Sequence, residues 1–68
     1  MDIQIEGEYI ELIKLLKIAN VVMSGGEAKM VVEDGLVQVN NEVELRKRKK
    51  IRPGDVVVFE GTQISVVR

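Results

Sequence analysis

The spacing of apolar residues changes at Gly35 and divides the chain into a helical half and a strand half. Before Gly35 the apolar residues recur three and four positions apart, which is the spacing of one helix face, and after it they alternate with polar residues, as in a strand. Helices followed by a run of strands predict an α+β fold. We expect a single domain, residues 1–68, in which a two-helix corner packs on a small antiparallel sheet.

The first part of the chain predicts a short strand and a helix. Ile3-Gln4-Ile5 alternates and predicts the strand, which Gly7 interrupts. Residues Tyr9–Ala19 predict the first helix, whose apolar side chains share one face while its lysines lie off that face. Asn20 and the β-branched residues after it are expected to end this helix.

A second helix is predicted over Gly25–Asp34. The spacing of Ser24 and Glu27 is that of a capping box, in which Ser24 accepts a hydrogen bond from the Glu27 amide and Glu27 reaches back to the Ser24 amide. Gly35 is expected to end the helix in the left-handed conformation.

The strand half predicts an antiparallel meander. A three-residue loop, Asn40–Glu42, would place Val39 opposite Val43 and Val37 opposite Leu45 on one apolar face. A two-residue loop would set both valines opposite glutamates, so the longer loop is expected.

Two further turns divide the remaining strands. Pro53-Gly54 suits the centre of a type II turn. The strand Val56–Phe59, a tight turn over Glu60-Gly61-Thr62 and a last strand over Gln63–Val67 complete the predicted sheet.

The positive charges are concentrated in one stretch, Arg46–Arg52, here named the basic segment. Six of the ten Lys and Arg residues lie in it: Arg46, Lys47, Arg48, Lys49, Lys50 and Arg52. The segment carries +6 in a chain of net charge −1, so the other residues carry −7. A positive patch on an acidic body indicates a protein that binds a polyanion. Lysines can also protect an edge strand from aggregation, but six cations without an interleaved acid exceed that need.

A second candidate site lies at the start of the second helix. Ser24, Gly25 and Gly26 would expose backbone amides there, and Lys29 lies one turn further on. Free amides and the helix dipole favour a bound phosphate, although an ordinary helix cap with a surface lysine explains the same residues equally well. We predict that the basic segment crosses beside this helix end and forms one L-shaped positive groove with it.

Other functions find little support in the composition. The chain has no cysteine and no histidine, which removes disulfides, thiolate metal cages and the commonest general base. The neighbouring acids Glu33 and Asp34 do not face each other on a helix, and Asp55 is interpreted as a turn residue. Met23 and Met30 could form an adaptable surface for a partner, but they are interpreted as fillers of core gaps, which is the commoner role of methionine. We therefore expect no enzyme activity, metal, cofactor or small-molecule substrate.

The compartment is also predicted from what the chain lacks. Residues 1–6 have neither the positive charge nor the apolar stretch of a signal peptide. No apolar run approaches the ~20 residues of a membrane span. A cytoplasmic protein without a membrane partner is expected.

Residues Leu12–Phe59 resemble the S4 RNA-binding domain, a family named after a small-subunit ribosomal protein. The resemblance is carried by the order and spacing of Ser24-Gly25-Gly26-Glu27-Ala28-Lys29, Val32–Asn40 and Pro53-Gly54-Asp55-Val56. Where the family often has basic residues this chain has Glu11 and Gly25, while Lys29 keeps the charge.

The resemblance implies two helices against a small sheet and binding of structured ribosomal or transfer RNA. The chain is similar to the small stand-alone members of the family that associate with ribosomes. An alternative from another class is a protein-interaction module, in which the basic segment docks an acidic protein partner on the ribosome.

Overall fold

A computed structural model describes all 68 residues and contains two helices and seven strands. The helices are α1 (Leu12–Ile18) and α2 (Gly25–Glu33). The strands are β1 (Asp2–Gln4), β2 (Ile10–Glu11), β3 (Val37–Val39), β4 (Glu42–Val43), β5 (Lys50–Ile51), β6 (Val56–Phe59) and β7 (Thr62–Val67).

The strands form two sheets. A five-stranded sheet has the order β1-β7-β6-β3-β4, and β2 and β5 form a separate two-stranded ladder. The predicted α+β class is confirmed, but the larger sheet is mixed because β1 pairs with β7 in parallel. Parallel pairing needs a long connection between the two strands, and here nearly the whole chain supplies it. Neither this pairing nor the β2–β5 ladder was predicted.

The core is entirely apolar. Sixteen buried residues from both helices and the sheet form one cluster, and no polar residue is buried. Helix α1 contributes Leu12, Leu15 and Leu16, and α2 contributes Ala28, Val31 and Val32. The predicted packing of a helical corner on a sheet is therefore confirmed.

Helix α1 begins at Leu12 rather than at Tyr9. Ile10 and Glu11 are extended because they pair with β5, at the register Ile10↔Ile51 and Glu11↔Lys50. This pairing joins positions about forty residues apart, whereas the predicted start of the helix rested on local spacing alone. At the other end, Asn20 takes a left-handed conformation at φ 60° and ends the helix as expected.

Helix α2 has the predicted boundaries to within one residue. The Ser24 hydroxyl accepts a hydrogen bond from the Glu27 amide at 3.1 Å, but Glu27 Oε1 accepts from the Met23 amide at 2.6 Å rather than from that of Ser24. Gly35 lies at φ 75°, and the Leu36 amide donates back to the Val31 carbonyl at 3.1 Å. This is the predicted glycine-terminated helix end.

The β3–β4 hairpin does not have the predicted register. Its loop is the two residues Asn40 and Asn41, both at positive φ, and it pairs Val39 with Glu42. Two asparagines adopt this turn readily because asparagine tolerates the left-handed region. As a result Val43 and Leu45 are 54% and 59% exposed, which an edge strand such as β4 permits.

The two later turns are close to prediction. Gly54 has φ 98° and the Asp55 amide donates to the Arg52 carbonyl at 3.0 Å, as in a type II turn. The β6–β7 loop holds only Glu60 and Gly61, so that Thr62 already belongs to β7.

The interpretation of the methionines as core residues was wrong. Met23 is 95% exposed and Met30 also lies on the surface, while the neighbouring Val22 is buried. The spacing of α2 turns Ala28, Val31 and Val32 inward and therefore places Met30 on the outer side.

Candidate nucleic-acid interface

The backbone of the basic segment is attached to the amino end of α1. The carbonyls of Lys49 and Lys47 accept hydrogen bonds from the amides of Leu12 and Ile13, at 2.9 and 3.2 Å. These amides belong to the first turn of the helix, where no carbonyl within the helix can reach them. Glu11 provides no side-chain cap, so the segment itself supplies the missing acceptors.

Five of the six cations of the basic segment line one open groove of about 430 Å³, here named the basic groove. The lining residues are Arg46, Arg48, Lys49, Lys50 and Arg52. No hydrophobic residue lines it. The sixth cation, Lys47, lies instead near the last turn of α2, where its Nζ is 3.7 Å from Glu33 Oε2.

Arg46 is the only cation of the groove that forms an ion pair. Its Nε and Nη2 donate to the Glu44 carboxylate at 2.9 and 3.2 Å, and its amide donates to the same carboxylate at 3.0 Å. The side-chain hydrogen bonds from Arg46 lower the pKa of Glu44 and raise that of Arg46. The other four lining cations form no ion pair.

A hydrogen-bonded clasp holds the end of the basic segment. Asp55 accepts from the Arg52 amide at 2.8 Å and from Asn40 Nδ2 at 3.0 Å. Asn40 Oδ1 in turn accepts from the Val56 amide at 2.9 Å. Asp55 is thus more than a turn residue, because it ties the segment to the β3–β4 hairpin.

Tyr9 is a residue of this surface that sequence reasoning missed. Its ring centroid lies 4.9 Å from Lys50 Nζ and 5.9 Å from Arg52 Cζ. The sequence predicted that the first helix begins at Tyr9, and that prediction gave Tyr9 no contact with the basic segment. Local spacing gave no signal of this position, because Tyr9 lies three and seven residues before Leu12 and Leu16 and therefore falls on the repeating helix face.

The second predicted site lies in a separate groove. Gly25 lines a groove of about 330 Å³ together with Glu11, Ile13, Lys14 and Lys17. The basic segment contacts the amino end of α1 and the last turn of α2, not the amino end of α2 as predicted. The single L-shaped groove is therefore replaced by two grooves. Lys14 and Lys17 are the cations of the second groove, and neither was proposed as a site residue.

The predicted residues at the amino end of α2 differ in what they can still bind. The Ser24 hydroxyl already accepts from the Glu27 amide, and the Glu27 carboxylate lies at the same helix end. Gly26 and Lys29 are exposed, and Lys29 forms no ion pair. The negative charge of Glu27 makes this end a weaker anion site than two bare glycines predict.

The structure offers neither a metal-binding cluster nor a membrane-spanning helix. It contains no group of three or more acidic, histidine or cysteine residues able to hold a metal ion. Neither helix has the length and apolar character required to cross a membrane.

Comparison with known proteins identifies the family. The S4 domain model matches residues 3–67. The chain is 42% identical over 59 residues to the putative RNA-binding protein YbcJ of Escherichia coli (strain K12), covering 87% of this chain and 84% of that protein. It is 44% identical over 59 residues to the probable ribosome maturation protein RlbA of Bacillus subtilis (strain 168), covering 87% and 83%.

The fold agrees with this assignment. The solution structure of E. coli YbcJ, described as revealing an αL motif involved in RNA-binding, superposes with a TM-score of 0.76 at 37% identity. The match covers 98% of this chain and 86% of that one. A family match over nearly the whole chain, close relatives of similar length and a shared fold lead to one conclusion: the chain belongs to the S4 domain family.

Proposed function

We propose that this protein binds structured RNA, ribosomal or transfer RNA, and acts in ribosome assembly or association. One observation carries the proposal: five cations of the basic segment line a single open groove, and only Arg46 among them is paired with an acid. Lysine and arginine side chains bind RNA by neutralising phosphates and releasing condensed counterions. The names of the relatives YbcJ and RlbA support both the ligand and the process.

Folded RNA suits this surface better than an extended single strand. Sequence-independent binding of single strands uses several aromatic side chains on which successive bases stack. The chain has two aromatic residues, and one of them, Phe59, is in the core. A groove that offers mainly charges recognises the spacing of phosphates on a folded backbone.

The amino end of α2 is proposed as a secondary contact. Ser24, Gly25, Gly26 and Lys29 stay in the proposed site, and the second groove adds Lys14 and Lys17 to it. A structured RNA that spans both grooves would meet positive side chains in each of them.

Titration of the protein with a structured ribosomal RNA fragment and an unstructured strand of equal length tests the proposal. We expect tighter binding of the structured fragment. Four unpaired cations correspond to a slope of about −3 in a plot of log affinity against log salt concentration. Equal affinities for the two RNAs, or a flat salt dependence, would contradict the proposal.

Charge reversal in the basic groove is the matching mutational test. Arg48→Glu should lower RNA affinity about tenfold at low salt and reduce the salt slope by about one, because a phosphate contact is lost. Arg68→Glu makes the same charge change at an exposed position outside both grooves and should have little effect. Similar losses in the two variants would indicate that net charge, not the groove, governs binding.

The protein-interaction alternative is distinguished by a double reversal, Arg48→Glu with Lys50→Glu. RNA binding and co-sedimentation with ribosomes are measured on the same variant. We expect both to be lost. Ribosome association that survives the loss of RNA binding would favour docking on a ribosomal protein.

A further inference from the structure

Tyr9 lies on the outer face of the β2–β5 ladder. The register pairs Ile10 with Ile51, and one further step along the ladder sets Tyr9 opposite Arg52. Side chains alternate along a strand, so Tyr9, Lys50 and Arg52 point away from the buried Ile51. The short distances from both cations to the ring agree with this placement.

The Tyr9 ring is accessible to a ligand. It is 43% exposed, whereas Phe59, the other aromatic residue, is 3% exposed and belongs to the core. The Tyr9 hydroxyl makes no hydrogen bond to the rest of the protein. Tyr9 therefore brings an aromatic surface to the margin of a groove whose lining is otherwise made of cations.

We propose that Tyr9 stacks on one unpaired nucleobase of the RNA, while Lys50 and Arg52 bind the phosphates beside that base. This inference rests on the proposed RNA-binding function and specifies the class of RNA. The target would be a folded RNA with an unpaired nucleotide at a bulge, a loop or a helix end.

The chemistry of the three side chains supports this arrangement. Every base has a π-face, so stacking on a tyrosine tolerates any base but requires that the face be uncovered. In a continuous A-form helix the base faces are covered by neighbouring base pairs. Proteins therefore contact base faces mainly at unpaired positions such as loops, bulges and ends. Lys50 and Arg52 are exposed and form no ion pair, which leaves their charges available for phosphates next to the ring.

Two hairpin RNAs with the same stem, one continuous and one with a single bulged nucleotide, test the inference. The natural protein should bind the bulged hairpin about tenfold more tightly, the order of magnitude of one stacked base. Tyr9→Leu should bind both hairpins with the affinity that the natural protein has for the continuous one. Tyr9→Phe should keep the preference, because the ring remains.

The chain offers a direct spectroscopic readout. It has one tyrosine and no tryptophan, so its tyrosine fluorescence comes from Tyr9 alone. Stacking should quench this emission more strongly with the bulged hairpin than with the continuous one. A 2-aminopurine placed at the bulge should be quenched by the natural protein and not by Tyr9→Leu.

A matched surface change serves as the control. Met23→Ala removes a fully exposed side chain outside both grooves and should leave both affinities unchanged. Circular dichroism of Tyr9→Leu verifies that the variant is folded. If it is not, the difference in tyrosine quenching of the natural protein between the two hairpins tests the stacking, and equal quenching by both hairpins would overturn the inference.

Each failure has its own signature. Equal affinity of the natural protein for both hairpins, or an equal loss for both in Tyr9→Leu, would overturn the inference and leave RNA binding in place. In the second case the ring would only hold Lys50 and Arg52 in position. Absence of binding to either hairpin would overturn the inference together with the proposed function.

Discussion

At the scale of single residues, Glu44 controls how much of the charge of Arg46 a ligand meets. Its carboxylate accepts three hydrogen bonds from Arg46, which is a lining residue of the basic groove. These bonds hold the pKa of Glu44 below its ordinary value, so the carboxylate is charged at neutral pH. One cation of the groove is therefore offset by a neighbouring anion.

The substitution Glu44→Gln should raise RNA affinity about fivefold at low salt, because an anion close to the bound phosphates is removed. The measurement is the titration with structured RNA, repeated at high salt, where the gain should shrink. Unchanged or weaker binding would mean that Glu44 is needed to orient Arg46 toward the RNA.

The pH dependence of stability is a separate test of the contact between Glu44 and Arg46. A carboxylate with a lowered pKa in the folded state stabilises the fold fully above the pKa of the unfolded chain, and this stabilisation is lost as pH falls through the lowered folded value. The difference in unfolding free energy between the natural protein and Glu44→Gln should therefore shrink on acidification.

At the scale of elements, Gly35 determines where α2 ends and how the chain enters β3. Its φ of 75° lies in the left-handed region, which costs a residue with a side chain about 1–2 kcal/mol. Space is not the constraint, since an added Cβ would lie 3.7 Å from Val43 Cγ1 and 3.8 Å from Leu45 Cδ2, which are ordinary contacts.

Gly35→Ala should therefore lower the free energy of unfolding by about 1 kcal/mol through backbone strain alone. Gly26→Ala is the matched comparison, because Gly26 lies in the first turn of α2 with helical backbone, where an added Cβ would lie 3.8 Å from Ser24 Oγ, an ordinary contact. It should leave stability unchanged or raise it by about 0.5–1 kcal/mol. Urea unfolding of both variants measures the two effects. A similar loss of unfolding free energy in both variants would contradict this explanation.

At the scale of the whole molecule, stability depends on one aliphatic cluster. A chain of 68 residues without disulfides has a net stability of only about 3–5 kcal/mol. Leu16 is fully buried in the cluster where both helices meet the sheet. Loss of a single large core side chain is thus comparable to the total stability.

Leu16→Ala should cost about 2–5 kcal/mol and leave a large part of the protein unfolded at room temperature. Leu36→Ala removes the same atoms from an exposed position and should change stability by less than about 0.5 kcal/mol. Far-UV circular dichroism during urea unfolding compares the two. Similar midpoints would show that the core tolerates the cavity.

The candidate site was predicted in its composition but not in its geometry. The concentration of cations between Arg46 and Arg52 is visible in the sequence, and five of the six do line one groove. Lys47 lies outside the groove because it contacts Glu33, and Tyr9 lies at the margin of the groove because it contacts Lys50 and Arg52. Both contacts join residues far apart in the chain. Spacing along the chain carries no information on such contacts.

By itself the sequence determined the features that a few neighbouring residues decide: the Ser24 cap, the stop at Gly35, the Pro53-Gly54 turn and the apolar faces of the helices. Only the tertiary structure decided the β3–β4 register, the parallel β1–β7 pair and the β2–β5 ladder that replaces the start of the predicted helix. The reason is physical. Caps and tight turns depend on local backbone conformation, whereas strand pairing depends on hydrogen bonds and burial between distant segments, which become available only once the core has formed.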